Sequence, residues 1–290
     1  NSSLELEAEI ILDEANYSNK VLESAKSFES SMDELYLTYK KNEEGNILVK
    51  LVSTNLSGKF NDLLAKTKIL VFMSGTLHSE SIIKNIFGIK DFKVVHAEGL
   101  NFGSIEIAMT GKEFDCNFKN LASKRGDYLE ALSSCIKNAK MPSLVHVNSF
   151  KDLPSEKEKQ LLNLNWLKSS EEVKKHQRED KTGLAISKFK KGDTDLLFST
   201  KCSRGVDFPG EICNSIIFTK YPNPNVSDSF WKVLQKTHPD YYWEFYKDKA
   251  WREFLQRIYR ALRSPEDKVM ILSPDTRVLD AVRKLQMKNY

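Results

Sequence analysis

Four short apolar runs constrain this chain more than anything else in it. They are Pro142-Ser-Leu-Val-His-Val-Asn-Ser149-Phe150, Thr194-Asp195-Leu-Leu-Phe-Ser-Thr200, Ser215-Ile-Ile-Phe-Thr219 and Lys268-Val-Met-Ile-Leu-Ser273. Each has the length of a strand and too little alternation for one wet face, so each reads as a strand buried on both sides. Helical stretches separate them, and that order predicts an α/β fold with a parallel sheet covered on both faces.

Before the last run lies Gln256-Arg257-Ile258-Tyr259-Arg260-Ala261-Leu262-Arg263. On a helix advancing about 100° per residue, Gln256, Arg260 and Arg263 share a wedge of roughly 60°, while Trp251, Phe254, Leu255, Ile258 and Leu262 take the other side. The spacing predicts one packed face and one bearing two guanidiniums and an amide, with Ser264-Pro265 ending the helix. Two forked cations on a rigid element suit a transferring phosphoryl group; an ordinary solvated face is the alternative.

The second run empties into Lys201-Cys-Ser-Arg-Gly205-Val-Asp207-Phe-Pro-Gly210, the third leads to Tyr221-Pro222-Asn223-Pro224, and Ile69-Leu-Val-Phe-Met73 leads to Ser74-Gly75-Thr76-Leu77. In this order and spacing, the pieces resemble the XPD/DinG branch of superfamily 2 DNA helicases, over about residues 45 to 290. The resemblance implies a RecA-like second motor domain at 77–290, preceded at 1–76 by a helical segment and the end of a first motor domain. It also implies that Arg260 and Arg263 neutralise charge on the γ-phosphoryl of ATP, with Gln256 placing the attacking water or reading that phosphate. Gly205 would permit close backbone approach, and Asp207 would hold the ribose or link the arginines to the DNA loop. Gly75 and Thr76 would sense nucleotide, and Ser149, Ser199, Thr200 and Lys201 would touch the backbone of single-stranded DNA.

By the same resemblance, the phosphate loop, Mg2+ carboxylates and a four-cysteine iron–sulfur site belong to the first motor domain, the expected partner along with DNA. A place in the nucleoid or nucleus, in DNA repair, and a monomeric state follow from it too. Two residues depart from the pattern. Tyr259 stands where the helix usually has glycine, and Arg204 where many relatives have glutamate.

The remaining stretches read as follows. Residues from Ser3 to Tyr36 have helical spacing, and within them Asp13-Glu14-Ala15-Asn16 imitates a magnesium-binding Asp-Glu-Ala-His box. A strand is expected at Ile47–Ser53 and a buried one at Ile69–Met73. Ser57-Gly58-Lys59-Phe60 lacks the upstream glycine and following Ser/Thr of a phosphate-cradling loop. A helix near Ser79 to Phe87, strands near Phe92 to His96 and Ser104 to Met109, and a helix near Tyr128 to Ala139 come next. Asn148 or Ser149 would either cap a helix or touch nucleic acid. Lys151 to Lys190 reads as helix, short strand, helix. The rings between Tyr221 and Trp251, interleaved with lysines, suit either a core or base stacking.

The 290 residues allow one large domain or two modest ones, and 40% hydrophobic content excludes default disorder. The net charge of +4 is too mild to argue nucleic-acid binding by itself. No apolar run approaches the roughly 18 residues of a membrane span, so a soluble, intracellular protein without membrane contact is expected. Cys116, Cys135, Cys202 and Cys213 lack a Cys-x-x-Cys pair and the histidines are isolated, so no metal is expected in this chain. With no phosphate loop before residue 70, the chain reads as the C-terminal portion of a longer helicase, inactive alone. A non-catalytic nucleic-acid-binding or regulatory module with a degenerate helicase fold is the alternative, and a motor acting on RNA a third.

Overall fold

A five-stranded parallel sheet organises the larger of two units, which comprises residues 75–77, 94–223 and 247–290. The computed structural model describes residues 34–41, 45–95, 103–200 and 205–288, with positions 23 and 26. The strands of this sheet are β3 (Ser104–Ile107), β4 (Ser143–His146), β5 (Leu196–Ser199), β6 (Ser215–Phe218) and β7 (Lys268–Leu272), in the order β3-β7-β6-β4-β5. The two strands preceding them, β1 (Leu35–Lys41) and β2 (Ile47–Ser53), belong to the smaller unit. Every residue of β4 and β6 is buried, as continuous apolar runs require, whereas β3 at the edge alternates.

Because successive strand residues point to opposite faces, the sheet divides its apolar side chains between two cores. Leu144, Leu197, Ile216, Phe218 and Ile271 face one core, with Phe254, Ile258 and Val278 from the covering helices. Val145, Phe198, Ile217, Met270 and Leu272 face the other, against Tyr128, Leu129, Leu132 and Ile136. In chain order, the described helices are α1 (Leu56–Ala65), α2 (Glu80–Asn85), α3 (Phe118–Ser123), α4 (Arg125–Lys137), α5 (Glu156–Leu161), α6 (Ser170–Glu179), α7 (Leu184–Lys191), α8 (Ser229–Thr237), α9 (Pro239–Ile258) and α10 (Thr276–Lys288). No described helix is long and apolar enough to cross a membrane.

The smaller unit comprises residues 1–74, 78–93 and 224–246. Its β1 and β2 pair antiparallel, Leu35 opposite Ser53 and Lys41 opposite Ile47, around a turn in which Gly45 has φ 85°. Its core is largely aromatic. Ile82, Ile86, Trp231, Leu234, Tyr242 and Phe245 pack together, so most of the ring-rich run is core, while Trp243 stays exposed.

Several expectations are corrected. The helix foreseen to Tyr36 gives way to strand at Leu35, because Leu-Tyr-Leu-Thr-Tyr pairs with Ile47–Ser53; the residues before Glu34, including Asp13-Glu14-Ala15-Asn16, lie outside the described ones apart from positions 23 and 26. Ile69–Met73 forms no strand, and Ile69 and Met73 are exposed. A buried parallel strand needs a hydrogen-bonded neighbour, and none is present among the described residues. Phe92 to Val95 also form no strand, and His96 lies outside the described residues. Between Lys151 and Lys190 there are three helices and no strand. Asn163 takes φ 51°, and the turns Asn165 N–H to Asn163 O and Leu167 N–H to Leu164 O fold the chain too tightly for extended pairing.

Candidate active site

The site is built where β5, β6 and α9 end. After β5 the chain leaves the sheet at Thr200, whose hydroxyl donates to Gln177 at 2.9 Å; Ser199 is buried within the strand, and Lys201 to Arg204 lie outside the described residues. Gly205 has φ 73°, and a Cβ there would meet nothing within 4 Å among the described residues. Its requirement within the described chain is therefore dihedral. Phe208 is fully buried, its ring 5.5 Å from that of Phe189, and its N–H donates to the Arg260 carbonyl at 2.7 Å. Anchored by its neighbour, Asp207 faces outward.

Asp207 accepts from Arg260 at 2.9 Å and from Arg263 at 2.5 Å through one carboxylate oxygen. Partial desolvation pushes this carboxyl's pKa up, but the hydrogen bonds and charges of Arg263 and Arg260 outweigh it and leave the pKa below the usual value. The two arginines reach Asp207 from a turn. The expected helix through residue 263 is corrected, since α9 ends at Ile258. The Ala261 N–H bonds back to Ile258 O, the Arg260 carbonyl is taken by Phe208, and Asp267 receives the N–H groups of Arg263 and Ser264 at 2.6 and 2.8 Å. The same carboxylate receives the Gly210 N–H at 2.9 Å, so one buried acid ties the Gly205–Gly210 loop to the arginine turn.

Gln256 takes a different partner. Its amide donates to the Thr76 hydroxyl at 3.1 Å, and Arg252 Nε donates to the Thr76 carbonyl at 2.7 Å. Gly75 precedes this contact, and a Cβ there would meet nothing within 4 Å among the described residues. The residues singled out from the sequence thus fall into two groups, Asp207 with Arg260 and Arg263, and Thr76 with Gln256.

Sequence reasoning missed Arg257, which is buried and donates to Glu253 at 3.0 Å and to Asn148 at 3.3 Å. Its NH1 finds no acceptor among the described residues. Burial lowers its pKa, and Glu253 opposes the shift. Burial, then the Arg257 charge, holds His146 well below its ordinary pKa, hence neutral. Asn148 therefore looks inward, while Ser149 caps the 3-10 turn Phe150–Asp152 in a capping box with Asp152. Asp275 was missed too. Fully buried, it receives Arg277 and the Tyr221 N–H at 2.8 Å each and holds the start of the Tyr-Pro-Asn-Pro turn. Only the Arg-after-Gln doublet hinted at Arg257, and nothing local distinguished Asp267 or Asp275 from surface acids.

Among the described residues, no group of three or more His, Cys, Asp or Glu side chains could hold a metal ion. Cys116, Cys135 and Cys213 are buried free thiols, and desolvation pushes the first two far above the ordinary thiol range. These donors do not fit a magnesium or iron–sulfur site.

A parallel sheet of this order, flanked by helices on both faces, is a RecA-like α/β domain. The family model described as "Helicase C-terminal domain" matches residues 132–289, more than half of the chain, and the chain belongs to that family. Among solved structures, an apo XPD is similar with TM-score 0.61 and 16% identity, over 93% of this chain and 55% of that one. An XPD helicase is similar with TM-score 0.57 and 17% identity, over 90% and 48%. The S. tokodaii Xpd4 structure follows with TM-score 0.50 and 20% identity, over 83% and 47%. This chain spans about half the length of each of these structures. No curated protein matches it.

Proposed function

We propose that this helicase-domain chain is the second motor half of an ATP-driven DNA helicase of the XPD/DinG type, supplying arginines to ATP hydrolysis and part of a single-strand track. The observation that carries this reading is the convergence of Arg260 and Arg263 on Asp207. A carboxylate holding two forked cations pre-positions them for an anion, so little reorganisation remains when charge develops on a phosphoryl group. Arg263, with its side chain 41% exposed, keeps guanidinium donors to offer. In this reading Arg260 and Arg263 neutralise the γ-phosphoryl oxygens, Asp207 orients both, and Gln256, tethered to Thr76, places the attacking water. Magnesium would neutralise phosphate charge, and its ligands would come from a first motor domain, the proposed partner. Ser149, Ser199, Thr200 and Lys201 remain the proposed contacts to the DNA backbone.

The test is single-strand-stimulated ATP turnover by the full-length protein. Arginine fingers contribute roughly 10³ to 10⁵ in rate, so Arg260→Ala is expected to bring hydrolysis to background while single-strand affinity stays within a few fold. Equal loss of both would make Arg260 structural or a DNA ligand. One observation favours the second reading, a non-catalytic nucleic-acid-binding module: Asp207 already neutralises part of the arginine pair. Single-strand binding that depends on salt, with no effect of ATP in any form of the protein, would establish that instead.

A further inference from the structure

One groove lies outside the arginine site and has no use in the chemistry above. It opens beside the segment after β4, where the carboxyl ends of the parallel strands become loops, the usual ligand position of an open α/β sheet. Its volume is about 470 Å³, enough for a nucleotide-sized group. On its rim stands Phe118, the first residue of α3, 91% exposed and the barest of the large aromatic rings among the described residues. Phe150 adds a second ring, with Lys174 Nζ 5.5 Å from its centroid.

Four cations line the groove, Arg125, Lys151, Lys174 and Lys220, against the two carboxylates Asp152 and Glu158. Two of the cations are committed to the walls. Arg125 donates to Glu158 and to the Lys151 and Leu153 carbonyls, and Lys220 pairs with buried Asp152 at 2.7 Å. Lys151 and Lys174 make no ion pair among the described residues and carry the groove's excess positive charge at its mouth.

We propose that this groove is a stacking subsite for one base of a single-stranded nucleic acid, with the base on Phe118 and the adjoining phosphate on Lys151 and Lys174. The proposal rests on the reading of this chain as part of a single-strand track, and it names a place on that track. An exposed ring in the same groove as two lysines outside any ion pair among the described residues complements the two parts of a nucleotide, a π-face and an anion. A duplex hides those faces in its stack, and an acidic peptide has no use for the ring.

The experiment is fluorescence anisotropy of a labelled oligodeoxythymidylate titrated with this chain, as wild type, as Phe118→Ala and as Lys151→Glu/Lys174→Glu. Phe118→Ala is expected to weaken binding roughly five- to a hundredfold with no change in Tm, since its ring packs on little. The charge reversal is expected to flatten the slope of log K against log salt by about one unit or more. If wild type binds and both variants match it, this subsite is wrong and the helicase reading stands. If wild type binds no oligonucleotide at low salt, both fall. If polyglutamate displaces the oligonucleotide equally well from wild type and from Phe118→Ala, the surface is a general anion site and the proposal is overturned.

Discussion

Asp267, 5% exposed, serves three backbone N–H groups from two separate segments, which makes it the residue on which the arginine turn depends most. Desolvation raises its pKa, but the hydrogen bonds from Arg263, Ser264 and Gly210 prevail and lower it. A lowered folded-state pKa means stability that is present above the unfolded value of about 3.9 and lost as pH falls through the folded one. Asp267→Asn turns an NH2 group toward backbone donors and is expected to cost about 1–3 kcal/mol at pH 7. Urea melts of wild type and variant should begin to converge below about pH 4 and meet once pH has fallen through the lowered folded pKa; a gap that shows no narrowing over that range would mean the effect is steric. Arg257 behaves differently, because its cost lies in what it would leave behind. Arg257→Met strands Glu253 in a largely buried site and is expected to destabilise by roughly 3 kcal/mol, part of which the double variant with Glu253→Met should recover. Additive losses in that cycle would show that the two side chains act independently.

At the scale of elements, the end of α9 and the loop after β5 make the site together. The strands β4 to β7 were legible because burial on both faces demands continuous apolar residues, a local signal. Spacing put Arg260 and Arg263 together, along with Gln256, which the structure turns to Thr76; Asp207 came in only through the resemblance, and the helix carrying the arginines was misread. Helical periodicity ran on past Ile258 in the sequence, but the hydrogen bond from Phe208, remote in sequence, and those to Asp267, three and four residues on, end the helix sooner. Asp267 and Asp275 were illegible for the same reason, since an acid becomes a structural anchor only when distant N–H groups arrive. Ile69–Met73 shows the converse, an apolar run whose strand character needs neighbours that the described residues do not supply. The loop allows a sharp test of dihedral against steric demand. With no described atom within 4 Å of a Cβ at Gly205, Gly205→Ala should cost only the left-handed penalty of about 1–2 kcal/mol, read as a small fall in Tm with the fold intact. A much larger loss would mean that another part of the chain approaches this backbone closely.

For the whole molecule, the decisive quantity under the proposed function is how much of a phosphoryl-transfer site the chain would hold. Arginines neutralise developing charge, but hydrolysis also needs the terminal phosphates cradled, a metal bridging them and water aligned, and each missing part removes several kcal/mol of barrier lowering. Gly58-Lys59 lies within α1, capped by Asn55, rather than in a strand-to-helix loop, and no described side-chain group suits a metal. This chain by itself is therefore expected to show no ATP turnover above the buffer rate, with or without oligonucleotide, while the protein that also carries a first motor domain turns over with single-strand stimulation. The pair of measurements separates two ways of being inactive. If the longer protein hydrolyses ATP and Arg260→Ala silences it, the arginine turn is half of a divided site. If the longer protein is silent as well, Asp207 holds the arginines as a permanent internal ion pair, and what the fold retains is a surface for nucleic acid.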